Sequence, residues 1–260
     1  MSQSLETRSV TVNGHAHRVW SRGTGRPLGF LAGIGGLPKW TPFLDRMAET
    51  RQVIAPSLPG FPGATGHEDL DTIFDWILAT HDLLTEAGLR GADLMAVSVA
   101  GALAADVAAV WPEFVRRLVL VSPFGLFDTR EPSADIWAQR PGHLNGLVCA
   151  ERETYKDFIE QPTGADPTEW KVEQMRALEA SARYLFPTGN TGLSARLHRI
   201  QCPVLLMRGS VDRVMPGSYL DRFATGISGR AVVREIAGAG HLAELDQPDA
   251  VASAVREFLE

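Results

Sequence analysis

The chain contains very little cysteine, and its cysteines form no metal-binding pattern. Of its 260 residues only two are cysteine, Cys149 and Cys202, with no CxxC spacing and no Cys/His cluster. This excludes a disulfide framework and a zinc site, because both need several suitably spaced thiol or imidazole groups. We therefore expect a reduced, intracellular protein that binds no metal.

Excess positive charge and long apolar segments are also missing. The chain has 25 Lys and Arg residues against 31 Asp and Glu residues, a formal net charge of −6. This balance gives no overall attraction to phosphate backbones or anionic lipid, so we predict neither nucleic acid nor membrane as a partner. No run of about 18 apolar residues occurs, and residues 1–8 lack the apolar core of a secretory signal. These features predict a cytoplasmic protein.

What is present is an ordinary globular composition in which short apolar runs alternate with helical periodicity. Two β-rich stretches, Ser9–Val12 and His17–Ser21, flank the pair Asn13-Gly14 and predict an antiparallel hairpin. The apolar runs that follow are bounded by Gly or Pro, which predicts a mostly parallel sheet buried on both faces by helices. These runs are Leu28–Leu31, Val53–Ala55, Leu94–Val97, Leu118–Val121, Val204–Met207 and Val232–Ile236.

The segments between these runs predict helices and one insertion. Residues 69–87 carry apolar side chains at helical spacing, residues 99–110 are rich in alanine, and the segment after Pro248 repeats apolar residues at four-residue steps. Between 125 and 200 no strand-like run occurs, and aromatic residues mix with helix formers. We predict a core domain of residues 1–124 and 201–260, and a helical cap, residues 125–200, over the carboxyl edge of the sheet.

Ser98 stands where a predicted strand runs directly into a predicted helix. Ala96 and Ala100 lie two positions before and after it. A small-x-Ser-x-small pattern is typical of the nucleophile elbow, a sharp turn at which the strand and helix backbones nearly touch, so that bulky flanking side chains are not tolerated. The turn would present the Ser98 hydroxyl above the sheet at a helix N-terminus, where the dipole favours developing negative charge.

An acid and a histidine follow two later strands. Asp212 lies in the loop beyond the run that ends at Met207, and His241 ends a loop of small residues after Ile236. Since both loops leave the carboxyl ends of strands, we expect both side chains at the same edge of the sheet as Ser98. A second acid, Asp246, is predicted to belong to the start of the last helix, where its charge suits the dipole.

In this order, and with room for an insertion after the serine, the three residues resemble those of the α/β-hydrolase superfamily, in its capped group of small serine hydrolases. The resemblance covers nearly the whole chain. It implies an α/β-hydrolase fold: a mostly parallel central sheet, flanking helices and a helical cap. It also implies that Ser98 attacks a carbonyl carbon, that His241 takes the Ser98 proton and later returns it, and that Asp212 orients the imidazole.

The resemblance further assigns an oxyanion hole and a substrate pocket. The segment Ala32-Gly33-Ile34-Gly35-Gly36 occupies the place of the oxyanion loop, so the backbone N–H groups of Ile34 and Val99 would bind the oxyanion. The pocket is expected to be largely apolar, and its candidate residues are Gly33, Gly35, Phe124, Trp137 and Phe158. Ser/His/Asp chemistry needs no cofactor, and no dinucleotide fingerprint is visible, so no cofactor is predicted.

Three functions are compatible with these residues. The first is a serine hydrolase that cleaves a carboxylic ester, lactone or thioester of a small, largely apolar molecule through an acyl-enzyme. The second is a hydrolase of the carbon–carbon bond of a β-diketone or vinylogous diketone, and the third is a lyase or a non-catalytic ligand-binding protein of the same fold. We expect a small-molecule substrate as the partner, and a monomer or homodimer.

Overall fold

A single mixed sheet of eight strands forms the centre of the structure, a computed structural model that describes residues 4–140 and 142–260. The strands are β1 (Glu6–Val12), β2 (His15–Arg22), β3 (Pro27–Leu31), β4 (Gln52–Pro56), β5 (Asp93–Val97), β6 (Arg117–Val121), β7 (Val204–Gly209) and β8 (Ala231–Ile236). Their order across the sheet is β1-β2-β4-β3-β5-β6-β7-β8. The pairs β1/β2 and β2/β4 are antiparallel, and the six strands from β3 to β8 all run parallel to one another.

Helices connect the strands and flank the sheet. They are α1 (Pro42–Ala48), α2 (Ile73–Glu86), α3 (Ser98–Val110), α4 (His143–Val148), α5 (Arg152–Phe158), α6 (Pro167–Leu185), α7 (Ser218–Gly226), α8 (Ala243–Asp246) and α9 (Pro248–Leu259). Short 3₁₀ turns lie at His67–Asp69, Leu193–Ala195 and Leu197–Arg199. In the described ranges no helix has both the length and the apolar character needed to cross a lipid bilayer.

The predicted architecture, a mostly parallel sheet flanked by helices, is confirmed. The pair Asn13-Gly14 turns β1 into β2 with φ angles of 51° and 83°, the left-handed conformation that such a tight hairpin turn requires. The helix predicted over residues 69–87 begins only at Ile73, because Thr72 and Asp75 form a capping box that fixes its first turn. Of the predicted regions, residues 1–3 and Pro141 lie outside the described part of the chain.

The strand order creates a crevice beside β3 and β5. These two strands are parallel neighbours, yet the chain leaves β3 towards β4 on one side and leaves β5 towards β6 on the other. Loops that depart in opposite directions open a space at the carboxyl ends of the strands, which is where ligands bind in open α/β sheets. The segment Ala32–Gly36, here called the β3 loop, and Ser98 therefore meet at one place.

The alanine-rich helix α3 lies in the middle of the protein. All its residues from Ser98 to Ala109 are buried. A Cβ on Gly101 would lie 2.8 Å from the Cβ of Pro123, so a glycine is needed for this helix to pass close to the chain that leaves β6. Small side chains thus let α3 press against the sheet and hold its N-terminus at the crevice.

Residues 122–203, here called the insertion, run between β6 and β7 and contain α4, α5 and α6. They contact the loops at the carboxyl edge of the sheet: the Leu242 N–H donates to the Val148 carbonyl at 2.8 Å, and the Tyr155 hydroxyl donates to the Ile34 carbonyl at 3.4 Å. At the far end of the insertion the Arg196 guanidinium donates to the Asp106 carboxylate of α3 at 2.6 Å. The insertion is therefore bonded to the elements that form the crevice.

At the opposite, amino edge of the sheet a buried carboxylate joins three strands. Asp93, at the start of β5, is fully buried, and its Oδ2 accepts from Arg51 at 2.9 Å and also from Arg116. Arg51 precedes β4 and Arg116 precedes β6. Two guanidinium partners offset the cost of removing the carboxylate from water.

We expect Asp93→Ala to lower the free energy of unfolding by about 3 kcal/mol, because two guanidinium groups lose their shared partner. Urea unfolding at pH 7 measures this change. Asp71→Ala is the matched control: its side chain is 87% exposed and lies 3.8 Å from Arg183, so we expect a change within about 1 kcal/mol. Equal stabilities of the two variants would contradict the assignment.

Candidate active site

Ser98 lies at a sharp junction between β5 and α3. Its φ angle is 54°, a left-handed conformation that is uncommon for a residue with a side chain and is typical of the nucleophile elbow. The β3 loop approaches so closely that a Cβ on Gly33 would lie 3.0 Å from the Ser98 Cβ. Ala96 and Ala100 fit on either side and are fully buried. Ser98 thus has the backbone conformation that the predicted elbow requires.

His241 reaches the same edge on a loop that crosses the end of β7. A Cβ on Gly209 would lie 2.1 Å from the Ala239 carbonyl oxygen, so this crossing requires a glycine at the end of the strand. The Gly240 N–H donates to the Asp246 carboxylate at 2.7 Å, and the Ala150 N–H of the insertion donates to the same oxygen at 2.8 Å. These bonds fix the peptide immediately before His241.

This position of Asp246 corrects the sequence-based prediction. The residue does not begin the last helix, α9, which starts at Pro248; it ends the preceding short helix, α8. Its carboxylate turns back to the backbone N–H groups of Gly240 and Ala150 instead of facing the N-terminus of α9. Buried N–H groups need acceptors, and a carboxylate that takes two of them satisfies both.

Asp212 follows β7, and its carboxylate is held by its own loop. The backbone N–H groups of Val214 and Met215 donate to its Oδ1 at 2.8 and 2.9 Å. Burial by itself would raise the pKa of this carboxyl, but the adjacent His241 and these hydrogen bonds outweigh it, so the pKa lies below its usual range. Asp212 is therefore a carboxylate near neutral pH.

The three side chains form one chain of hydrogen bonds. The His241 Nε2 lies 2.8 Å from the Ser98 Oγ, and the His241 Nδ1 lies 3.2 and 3.1 Å from the two carboxylate oxygens of Asp212. An ionised carboxylate can only accept, so Nδ1 carries the hydrogen and Nε2 is left to accept from the serine hydroxyl. Burial of all three side chains strengthens these interactions, because water does not compete for the polar atoms.

The two residues predicted for the oxyanion hole, Ile34 and Val99, belong to different elements beside this crevice. Ile34 belongs to the β3 loop, in which Gly35 and Gly36 have φ angles of 83° and 72° and the Gly36 N–H donates to the Gly33 carbonyl at 3.0 Å. Val99 is the second residue of α3, and N–H groups in the first turn of a helix have no acceptor within the helix. Both predicted oxyanion residues thus lie beside Ser98: Val99 follows it in the chain, and Ile34 follows Gly33, which packs against it.

The predicted pocket residues fall in two places. Gly35 and Trp137 line a cavity of about 200 Å³, together with Tyr155 of the insertion. Gly33 and Phe158 line a separate void of about 10 Å³.

Phe124 lines neither space. Its ring stands edge-on to the His241 imidazole, with centroids 5.7 Å apart, and it also contacts the Trp137 ring at 5.8 Å. The Phe124 ring therefore lies between the His241 imidazole and Trp137, which lines the cavity.

Two residues of the site were not found from the sequence. Tyr155 is buried between the cavity and the β3 loop, and a tyrosine in a helical segment gives no local sign of that contact. Glu244 is 5% exposed and lies three residues after His241. Burial raises its pKa to about 8, and the negative charge of Asp246 adds to the shift. An acid within an apolar stretch close to the histidine is the signal that could have found it.

Comparison with known proteins identifies the family of the chain. A family model described as the Alpha/beta hydrolase family matches residues 10–254. The chain is 25% identical over 264 aligned residues to the 2-hydroxymuconate semialdehyde hydrolase of Pseudomonas sp. (strain CF600), an alignment that covers 97% of this chain and 93% of that protein.

Solved structures show the same fold. The 2-hydroxy-6-oxo-6-phenylhexa-2,4-dienoate hydrolase from Rhodococcus sp. strain RHA1 superposes with a TM-score of 0.79 at 19% identity, over 99% of each chain. A carboxylesterase from Bacillus subtilis superposes with a TM-score of 0.74 at 22% identity, over 98% of this chain and 92% of that chain. Since the family model spans nearly all of the sequence, the chain belongs to the alpha/beta hydrolase family.

Proposed function

We propose that the protein is a serine hydrolase that cleaves a carboxylic ester, lactone or thioester of a small, largely apolar molecule through an acyl-enzyme. The observation that carries this proposal is the hydrogen-bonded chain from Ser98 Oγ through His241 to Asp212, with Nε2 and Oγ 2.8 Å apart. That distance lies within the range over which a general base takes a proton from a nucleophile.

The order of the hydrogen bonds determines the steps. Ser98 Oγ attacks the carbonyl carbon while its proton passes to His241 Nε2, and the carboxylate of Asp212 stabilises the imidazolium that forms. Collapse of the tetrahedral intermediate breaks the bond to the leaving group, which takes the proton from Nε2. Water then attacks the acyl-enzyme with His241 again as base, releasing a carboxylic acid and restoring the Ser98 hydroxyl.

The oxyanion of the tetrahedral intermediate would be bound by the backbone N–H groups of Ile34 and Val99. Ile34 is held by the β3 loop and Val99 by the start of α3, so neither donor has to be ordered during the reaction. Such preorganised donors stabilise a transition state by about 3 kcal/mol each. The N-terminal end of α3 adds a favourable dipole at the same position.

The substrate pocket would be the cavity of about 200 Å³ that Gly35, Trp137 and Tyr155 line. Ser98 and His241 are themselves fully buried, so a substrate gains access to the Ser98 hydroxyl only when side chains of the insertion move. The small volume and the aromatic walls favour a short acyl group or a single ring over a long chain.

We expect Ser98→Ala to lower kcat/KM for p-nitrophenyl acetate by several orders of magnitude without unfolding the protein, because the nucleophile is lost while the oxyanion donors remain. His241→Ala is expected to cost about as much, and the double variant no more, since the two residues act as a unit. Initial rates of p-nitrophenol release, with circular dichroism as the folding check, measure both effects.

Covalent labelling supplies an independent test of the nucleophile. A p-nitrophenyl alkylphosphonate should add one phosphonyl group to the wild type and to Ser228→Ala, a control at an exposed serine, but none to Ser98→Ala, as read by intact-mass spectrometry. Retained labelling or turnover in Ser98→Ala would make the assignment wrong.

Asp212→Asn should lower kcat less than Ser98→Ala does, so that its kcat stays about ten- to a hundredfold above that of Ser98→Ala. The amide keeps the shape of the carboxylate but removes its charge, so the imidazolium loses stabilisation while the nucleophile and the base remain. Steady-state kinetics of the two variants on one ester give the ratio. An unchanged rate in Asp212→Asn would show that another acid orients His241.

Hydrolysis of a carbon–carbon bond is the second candidate, and the comparisons support it. The Pseudomonas relative is named as a semialdehyde hydrolase and the Rhodococcus structure as a dienoate hydrolase, names of conjugated substrates rather than esters. The same serine and histidine serve such a substrate after it changes tautomer from enol to ketone, when the bond beside the carbonyl can break.

A substrate series separates the two candidates. We expect the wild type to hydrolyse p-nitrophenyl esters from acetate to octanoate with an optimum at short chains, because the cavity is small. Turnover of a vinylogous diketone at a kcat/KM well above that of every ester would favour the carbon–carbon reaction. Phosphonate labelling with no turnover of either class would favour a narrower substrate, and no labelling would favour a lyase or a ligand-binding protein.

A further inference from the structure

Glu244 is a buried acid that the proposed chemistry does not use. It lies on α8, three residues after His241, and its side chain is 5% exposed. Its Oε2 makes no hydrogen bond to any group among residues 4–140 and 142–260. A carboxyl oxygen left without a partner in the interior is costly when the group is ionised, so its presence here needs an explanation.

The place of Glu244 connects it to the β3 loop. It lines a void of about 10 Å³ together with Gly33, Ile34 and Gly36 of that loop, whereas the cavity that Trp137 lines does not include it. The other walls of the void are uncharged: Thr41 at the start of α1 and Phe158 at the end of α5 are among them. Glu244 is thus the titratable side chain of the void that the β3 loop lines.

Burial raises the pKa of Glu244, and this outweighs a hydrogen bond from its own backbone N–H, which favours the ionised form. Asp246, on the same helix, is the charged group that acts on it, and its negative charge opposes a second one. Cys149, which follows α4, carries no charge near neutral pH because burial raises the pKa of its thiol. Tyr155 on α5 is kept neutral for the same reason. With the pKa of Glu244 raised to about 8, its carboxyl is mostly protonated at pH 7.

We propose that Glu244 is a positioning residue for the β3 loop, with which it lines one void and which it supports in its uncharged form, so that its ionisation weakens oxyanion binding by the Ile34 N–H. This inference rests on the proposed function of that loop. An uncharged carboxyl fills the space without competing for the loop's N–H groups. A carboxylate at the same point attracts those N–H groups towards itself and repels the oxyanion, because little solvent screens it.

The first test is a pH profile of kcat/KM for p-nitrophenyl acetate, compared as the ratio of the rate at pH 9 to that at pH 7. With a pKa of about 8, the protonated fraction of Glu244 falls about tenfold from pH 7 to pH 9. The wild-type kcat/KM should therefore be up to about tenfold lower at pH 9 than at pH 7. Glu244→Gln keeps the shape of the side chain but cannot ionise, so its kcat/KM should not be lower at pH 9. Glu113→Gln is the control, because Glu113 is exposed in the loop between α3 and β6. It should retain the wild-type profile.

The second test does not depend on catalysis. The folded state binds the Glu244 proton more tightly than the unfolded chain does, so the wild type loses stability as pH rises from the unfolded pKa of about 4.5 to the folded pKa of about 8. Urea unfolding at pH 5.5 and pH 8.5 should therefore show a larger loss of stability in the wild type than in Glu244→Gln.

The outcomes separate this proposal from the proposed function. Loss of the alkaline decline in Glu244→Gln, with the matching change in stability, supports the positioning role. An alkaline decline that persists in Glu244→Gln overturns it, even if phosphonate still labels Ser98. Equal pH dependence of unfolding in the two proteins also overturns it, because Glu244 would then not be a buried neutral acid, whatever reaction the enzyme catalyses.

Discussion

The close contact between the β3 loop and the start of α3 is the constraint on which the rest of the site depends. Two parallel strands, β3 and β5, end side by side, and the chain leaves them in opposite directions. Gly33 has no side chain to separate the loop from Ser98, and Ser98 takes the left-handed backbone conformation that this sharp junction requires. A Cβ at position 33 would lie 3.0 Å from both the Ser98 Cβ and a methyl group of Leu242, closer than side-chain atoms ordinarily approach.

Burial gives the site its electrostatic character. Asp212 keeps its charge in the interior because two loop N–H groups and His241 stabilise it. Glu244, only three residues from His241, has no such partners for its Oε2, and burial therefore favours its neutral form. Both acids are buried, but their pKa values shift in opposite directions: His241 and loop hydrogen bonds lower that of Asp212, whereas burial and the charge of Asp246 raise that of Glu244.

The insertion takes part in the site by direct bonds. Its backbone supplies the Ala150 N–H to Asp246, which also holds the peptide before His241, and its Tyr155 hydroxyl contacts the Ile34 carbonyl. The insertion is therefore hydrogen-bonded both to the β3 loop and to the acid that holds the peptide before His241.

Local patterns in the sequence predict the strands, the alanine-rich helix, and the order of Ser98, Asp212 and His241. These features depend on periodicity and on small residues at turns, which are visible within a few positions. Which surfaces meet is known only from the packed structure. There Asp246 binds the Gly240 N–H instead of facing α9, Glu244 is buried in a void lined by the β3 loop, and Phe158 lines a different space from Trp137. Such contacts join residues far apart in the chain, so their burial and partners arise only when the elements pack.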